Sequence, residues 1–206
     1  RDLHGVFHRQ RQMCIRDRFL ISASAYIIFF NNNGNGFSKC RAGQVAGNIG
    51  GSFSLINEDG VVVTDIDVIK GPSLIYFGYT FCPDICPLDT YRNAEAVTLL
   101  EEDGYDVTPI FITFDPVRDT PEVLKQFTDY MHPKMVGLTG SIDEIKKVAK
   151  KYRVYFKKQN TDDSESYLVD HTAFTYLVLP EIGFVDFFRR ELTAEQLAEK
   201  VSCFIK

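Results

Sequence analysis

Two continuous apolar runs, each followed by a helical segment, constrain the fold of this chain more than any other feature of its sequence. Residues 73–78 and 107–114 have the composition of strands that are buried on both faces. A helix is predicted at 87–102, where apolar residues recur at spacings of three and four, and another at 120–130, which opens with Thr-Pro-Glu. This order predicts an α/β domain with a central mixed β-sheet flanked by helices.

The flanking segments extend the same pattern. Turn formers separate the apolar residues 53–56 and 61–63, which predicts an N-terminal β-hairpin. A helix at 141–152 begins with a capping box formed by Ser141 and Glu144. Further strands are predicted at 135–138, 154–157, 167–170, 172–179 and 184–188, an exposed loop at 159–166, and a last helix from Thr193 to about Cys203.

The first 36 residues differ in charge and composition from the rest. Residues 1–18 contain five arginines and two aspartates, residues 19–30 contain no charged residue, and residues 31–36 are all Asn or Gly. This pattern is typical of an export signal or membrane anchor, with a surface-packed helix or strand as the alternative. Twelve helical residues span roughly 18 Å, less than the ~30 Å of a bilayer core, which favours the apolar region of a signal. We assign no function to His4, His8 or Cys14.

Length and charge then define the organisation. We expect a signal-anchor and linker at 1–36, an extended segment at 37–49 and one folded domain at 50–206, since domains cluster near ~100 to 150 residues. The net charge of −5 and the isoelectric point near 5.4 argue against a nucleic-acid partner, which would require a basic face.

Two cysteines lie four positions apart in the loop between the first buried strand and the first long helix, where α/β sheets place their sites. Because Pro87 disfavours helical geometry at the residue before it, Cys86 is predicted to cap the helix, with Cys82 in the loop above. The helix dipole would then lower the pKa of Cys86 and favour its thiolate. Such a thiolate is a nucleophile or a soft metal ligand; a structural disulfide or two inert thiols are the alternatives.

A distant histidine favours the metal. Thioredoxin-type redox motifs have two residues between their cysteines, whereas this loop has three. His132 is predicted to be structural, because it lies at a helix end. His171 lies between two predicted strands, and the neighbouring Asp170 is expected to orient its imidazole. Two thiolates and one imidazole suit Cu(I), and Cu(II) with a weak fourth ligand, whereas zinc would prefer a fourth protein donor.

Three segments resemble the signature segments of the SCO/SenC family: Gly-Tyr-Thr-Phe-Cys-Pro-Asp-Ile-Cys-Pro at 78–87, Phe-Asp-Pro-Val-Arg-Asp-Thr-Pro at 114–121 and Val-Asp-His-Thr at 169–172. The resemblance covers about residues 50–206. It implies a thioredoxin-like fold with an inserted β-hairpin that carries the histidine. It also implies a membrane-tethered protein that faces the periplasm or the mitochondrial intermembrane space.

The resemblance assigns roles to individual residues. Cys82, Cys86 and His171 match the copper ligands of the family, and the family's role is to build the CuA centre of cytochrome c oxidase. Asp115, Arg118 and Asp119 match the acidic motif that the family has at the end of a strand. The alternative to a metal role for these residues is a structural one, in which they cap the helix near Thr120 and form a local Arg–carboxylate pair.

Three functions remain open at this point. The first is a copper chaperone whose Cys82–Cys86 pair forms a disulfide when metal-free and oxidised. The second is a thiol-disulfide oxidoreductase that reduces the CuA cysteines of the oxidase, so whether the protein is an enzyme is not decided. The third is a copper sensor, for which the sequence shows no output domain. The expected partners are the CuA-bearing subunit, other copper chaperones and a membrane.

The two remaining cysteines of the domain and its preceding segment, Cys40 and Cys203, are either free thiols or form a disulfide between the two ends.

Overall fold

The computed structural model describes residues 37, 39–41, 48–159 and 166–206. The chain forms two compact units, Arg1–Gly43 and Gln44–Lys206. In the first unit, the carbonyl oxygen of Phe37 accepts hydrogen bonds from the backbone N–H groups of Cys40 and Arg41. The predicted signal-anchor at 1–36 lies outside the described residues, and none of the helices within the described ranges has the length and apolarity needed to span a bilayer.

A seven-stranded mixed sheet forms the centre of the second unit. Its strands are β1 (Ser54–Asn57), β2 (Val62–Thr64), β3 (Ser73–Gly78), β4 (Thr108–Thr113), β5 (Val136–Thr139), β8 (Phe174–Leu179) and β9 (Gly183–Arg189). They lie in the order β2-β1-β5-β4-β3-β8-β9. Strands β3, β4 and β5 are parallel, and the outer pairs are antiparallel.

Helices follow the parallel strands, as the alternating pattern predicts. The described helices are α1 (Asp65–Val68), α2 (Ile85–Glu102), α3 (Pro121–Met131), α4 (Ile142–Lys151) and α5 (Ala194–Ile205). All six residues of β3 are buried, as expected for an inner strand of an α/β sheet that is covered on both faces. The ring of Phe77 in β3 packs against those of Phe114, Tyr152 and Tyr176, so the core is strongly aromatic.

A separate two-stranded sheet carries the histidine. Strands β6 (Phe156–Lys158) and β7 (Val169–His171) pair antiparallel, with Phe156 opposite His171. The ring of Phe156 stacks on that of Phe114, which directly follows β4, at a centroid distance of 4.8 Å. This hairpin is the inserted one that the resemblance implied, and the stacking holds it against the carboxyl end of the main sheet.

Two differences from the predicted secondary structure are an added helix and an earlier helix start. The four-residue helix α1 was not predicted; its first turn is held by Asp67, which accepts a hydrogen bond from the backbone N–H of Thr64. Helix α2 begins at Ile85 with Asp84 as its N-cap, so the prediction that Cys86 caps the helix was wrong. Proline is tolerated throughout the first turn, whose N–H groups have no helical acceptors, and Pro87 therefore sits inside the helix at no cost in hydrogen bonds.

Candidate metal centre

Three elements bring Cys82, Cys86 and His171 together. Cys82 lies in the loop after β3, Cys86 in the first turn of α2 and His171 at the end of β7. The two thiol sulfurs and the nearest imidazole nitrogen all lie within 4.8 Å of one another. The Sγ atom of Cys86 is 3.2 Å from Nε2 of His171, although 85 residues separate them in sequence. This donor set is the one that the sequence analysis selected.

The imidazole of His171 is oriented by the backbone. Its Nδ1 lies 3.1 Å from the carbonyl oxygen of Thr172, and a carbonyl only accepts, so Nδ1 carries the proton. The Nε2 lone pair then faces Cys86. The expectation that Asp170 orients the ring was wrong, because its exposed carboxylate accepts a hydrogen bond from Nε2 of Gln159. Alternating strand geometry places Asp170 on the opposite face of β7 from His171.

The two thiols have opposite pKa shifts. A hydrogen bond with Cys86 lowers the pKa of Cys82, assisted by the backbone N–H groups of Asp84 and Cys86 and opposed by burial. The same bond, with burial, raises the pKa of Cys86. The backbone N–H of Cys86 donates to the Cys82 sulfur at 3.3 Å. The prediction of a lowered pKa at Cys86 was therefore wrong: the first turn of the helix donates to the loop cysteine, and it is the pKa of Cys82 that is lowered.

The three donors differ in solvent exposure, so the centre is accessible from one side only. Cys86 is 0% exposed, whereas Cys82 and His171 are half-buried. The rings of Tyr79 and Phe114 lie against the imidazole at centroid distances of 6.1 and 5.1 Å. An incoming group therefore reaches the three donors from the side of Cys82 and His171.

Asp119 connects the cysteine loop to the end of β4. Its buried carboxylate accepts hydrogen bonds from the backbone N–H and the hydroxyl of Thr80, at 3.0 and 2.5 Å, and from the hydroxyl of Thr113 at 2.5 Å. The cap of α3 is the side chain of Thr120, which accepts from the N–H of Val123, so Asp119 does not have the capping role that was one of its two predicted roles. Thr80 lies two residues before Cys82, so this contact positions the loop.

Asp115 and Arg118 form the local pair that was predicted as the alternative to a metal role. Nε of Arg118 lies 2.5 Å from Oδ2 of Asp115, and the hydroxyl of Tyr167 donates to Oδ1 at 2.6 Å. The guanidinium also lies 3.6 Å from the ring centroid of Tyr167 and 4.9 Å from that of Phe81. Arg118 therefore links the cysteine loop, the end of β4 and the segment that leads into β7.

His132 takes no part in the centre. Its ring is buried, and Nδ1 accepts a hydrogen bond from the backbone N–H of Lys134. This agrees with the structural role predicted for it.

Several residues of the site were missed by the sequence analysis. The carbonyl of Thr172, the ring of Tyr79 and the ring of Phe114 all contact His171. The hydroxyl of Tyr79 also accepts a hydrogen bond from the backbone N–H of Val169, which ties the β6–β7 hairpin to the cysteine loop. Both aromatic residues directly follow a buried parallel strand, and this position at the carboxyl edge of the sheet was the available signal.

A protein-family model described as SCO1/SenC matches residues 41–206. The chain belongs to the SCO1/SenC family. SenC of Rhodobacter capsulatus is 49% identical over 188 residues, covering 90% of this chain and 85% of SenC. The mitochondrial SCO1 homolog 1 of Arabidopsis thaliana is 45% identical over 161 residues, covering 78% of this chain and 47% of that protein. The chain thus spans most of the bacterial SenC and about half of this mitochondrial relative.

Solved structures of the family share the fold. The copper-bound structure of Arabidopsis thaliana ScoI has a TM-score of 0.72 and 43% identity, covering 76% of this chain and 98% of that one. Copper-bound yeast Sco1 has a TM-score of 0.69 and 41% identity, covering 77% and 89%. BsSco, in which a disulfide switch was identified, has a TM-score of 0.61 and 25% identity, covering 79% and 98%. The predicted thioredoxin-like fold with a central mixed sheet is confirmed.

Proposed function

We propose that this SCO1/SenC protein is a copper chaperone that binds copper through Cys82, Cys86 and His171 and assists assembly of the CuA centre of cytochrome c oxidase. The observation that carries the proposal is the convergence of two thiols and an imidazole within 4.8 Å. Such a donor set is soft, as Cu(I) prefers. Relatives of known structure bind copper, and BsSco is a member of a family of cytochrome c oxidase assembly proteins.

The arrangement is suited to giving copper away. Three protein donors leave a coordination position for an incoming ligand, and two of them, Cys82 and His171, are only partly buried. A cysteine thiolate of the recipient approaches from that side and replaces these donors in turn, while the buried Cys86 is the last to release. Nδ1–H of His171, held by the carbonyl of Thr172, keeps the imidazole in place during the exchange.

Copper titration of the reduced chain tests the proposal. Cu(I) affinity is measured by competition with a chromophoric chelator under anaerobic conditions, for Cys82→Ala, Cys86→Ala and His171→Ala. Each is expected to weaken binding by more than the roughly 10- to 100-fold that loss of an outer hydrogen-bond partner costs. Asp170→Asn is the matched control beside His171 and should bind as the natural chain does. Undiminished affinity in all three ligand variants would contradict the proposal.

A thiol-disulfide reductase is the second candidate, and the opposite pKa shifts of the cysteines favour it. The half-exposed Cys82 sulfur holds the negative charge that attacks a partner disulfide, and the adjacent Cys86 can resolve the mixed disulfide. The Cys82–Cys86 disulfide forms as the partner disulfide breaks, and the partner receives two electrons and the Cys86 proton, leaving it with one thiol and one thiolate. This function needs no imidazole. Oxidase assembly that survives His171→Ala but fails in Cys82→Ala would favour the reductase over the chaperone.

We further propose that residues 1–36 export the domain or tether it to a membrane, so that the domain faces the periplasm or intermembrane space. The arginines followed by the uncharged run at 19–30 support this. Protease treatment of intact spheroplasts tests it: the domain should be digested from outside. Full protection, released only on lysis, would contradict this location.

An oxidising compartment also suits the proposed disulfide between Cys40 and Cys203. Removing such a bond from an exported domain costs about 2–5 kcal/mol of stability. Peptide mapping should find the two cysteines in one crosslinked peptide pair, two hydrogens lighter than the reduced pair. Free thiols at both positions in the exported protein would refute the bond.

A further inference from the structure

A groove lies beside the metal centre and is not part of it. Its volume is about 420 Å³, within the ~300–1,000 Å³ range of clefts that accept a ligand or an anchoring side chain. Its walls come from the segment after β4, the first turns of α4 and the β6–β7 hairpin. The apolar residues lining it include Phe114, Val117, Ile142, Phe156, Tyr167 and Val169.

The groove adjoins the site at two points. Phe114 forms part of its wall, and the ring of this residue also packs against the imidazole of His171 at 5.1 Å between ring centroids. Tyr167 forms another part of the wall and lies under the guanidinium of Arg118, which in turn lies over Phe81, next to Cys82. A segment bound in the groove is therefore separated from His171 by the ring of Phe114, and from the cysteine loop by Tyr167 and Arg118.

Three lysines line the groove of an otherwise acidic chain. Lys146, Lys157 and Lys158 all contribute to it, and none forms an ion pair with another residue in the described ranges. The ammonium of Lys158 lies 3.4 Å from the ring centroid of Tyr167. The carboxylate of Asp115, which also lines the groove, is neutralised by Arg118. The groove is thus positive, although the whole chain carries −5.

Apolar side chains are also left exposed along the path from the cysteine loop to the groove. Phe81 is 52% exposed and Val117 is 79% exposed. Exposed apolar surface that is bordered by charge of one sign is typical of a protein-binding site, where an aromatic anchor fills a pocket and surrounding charges set the association rate.

We propose that this groove docks an acidic segment, anchored by an aromatic or branched apolar side chain, of the protein that receives copper from Cys82 and His171. The proposal rests on the proposed chaperone function and deepens it by naming the chemistry of the partner surface. The apolar walls bind the anchor, and the lysines attract the acidic side chains and align the recipient's cysteines with the half-exposed donors.

A charge reversal with a matched control tests the surface. The copper-loaded full chain is mixed with the soluble, metal-free CuA-bearing domain of the oxidase, and copper transfer is followed by rapid separation of the two proteins. The test variant is Lys146→Glu/Lys157→Glu. The control is Lys70→Glu/Lys206→Glu, which changes two exposed lysines that do not line the groove and alters the net charge equally.

The test variant should transfer copper about tenfold more slowly at about 50 mM salt, and the difference should shrink to within about twofold at about 0.5 M, where screening is nearly complete. Its Cu(I) affinity should be unchanged, and the control should transfer at the natural rate. Equal slowing of test and control would overturn the proposal, because net charge alone would then explain the effect. An unchanged or faster rate would also overturn it.

The two proposals fail in different ways. If the natural chain binds copper but transfers none to the CuA-bearing domain, the result contradicts both the proposed chaperone function and the proposed docking surface. If the natural chain transfers copper and the lysine reversal has no effect, only the docking surface falls.

Discussion

Asp119 gives the sharpest test of how the cysteine loop is held. Its carboxylate is 0% exposed and accepts three hydrogen bonds, two from Thr80 and one from Thr113. Replacement by alanine leaves the buried Thr113 hydroxyl and the part-buried Thr80 donors without this acceptor, at about 1–3 kcal/mol for each group that stays unsatisfied. Burial raises the pKa of Asp119, so the cost of burying its charge offsets part of the hydrogen-bond energy. We therefore expect Asp119→Ala to lower the free energy of unfolding by about 3–5 kcal/mol.

The same substitution should reach the metal centre. Thr80 lies two residues before Cys82, and loss of its anchor loosens the position of that sulfur. Copper affinity should then fall by roughly 10- to 100-fold, as for other outer contacts of metal sites. Asp119→Asn keeps one amide oxygen as an acceptor, and we expect it to lose less stability than Asp119→Ala.

Urea unfolding of the reduced, metal-free chain, followed by circular dichroism, measures the stability change, and chelator competition measures the affinity. Asp129→Ala is the control, because this aspartate is exposed on α3 and should change stability by less than about 0.5 kcal/mol. If Asp119→Ala unfolds within about 1 kcal/mol of the natural chain, the buried carboxylate does not hold the loop and the argument fails.

Two further predictions follow from the packing around the thiols. In the reduced, metal-free chain, iodoacetamide at neutral pH should alkylate Cys82 much faster than Cys86. The reason is that Cys82 is partly exposed and has a lowered pKa, whereas Cys86 is buried and has a raised pKa. Equal labelling of the two cysteines, measured by mass spectrometry, would contradict this. Gly78→Ala should cost about 1–3 kcal/mol and weaken copper binding, because the added methyl group would lie 3.2 Å from the Cys86 sulfur and 3.0 Å from a ring carbon of Tyr76. Gly71→Ala, where the nearest atom is 3.6 Å away, is the matched control for thermal unfolding, and an equal loss in both variants would exclude a specific clash.

The reversed roles of the cysteines show where local rules stop. The rule that a residue before proline avoids helical geometry placed Cys86 at the helix cap, and the dipole argument then made it the thiolate. In the structure the helix starts earlier, at Ile85, and its first turn donates to Cys82 instead. A shift of two residues at a helix start was enough to exchange the charged and the protonated thiol.

The order of strands and helices, the paired cysteines and the separate histidine were all determined by the sequence alone. Apolar runs and helical spacing are local properties, and the three signature segments are contiguous. Only the tertiary structure decided the contacts between distant segments: His171 against Cys86, Asp119 against Thr80, and Thr172 in place of Asp170 as the group that orients the imidazole. These contacts depend on strand register and on the packing of the β6–β7 hairpin against Phe114, which a one-residue shift would change and which no local pattern specifies.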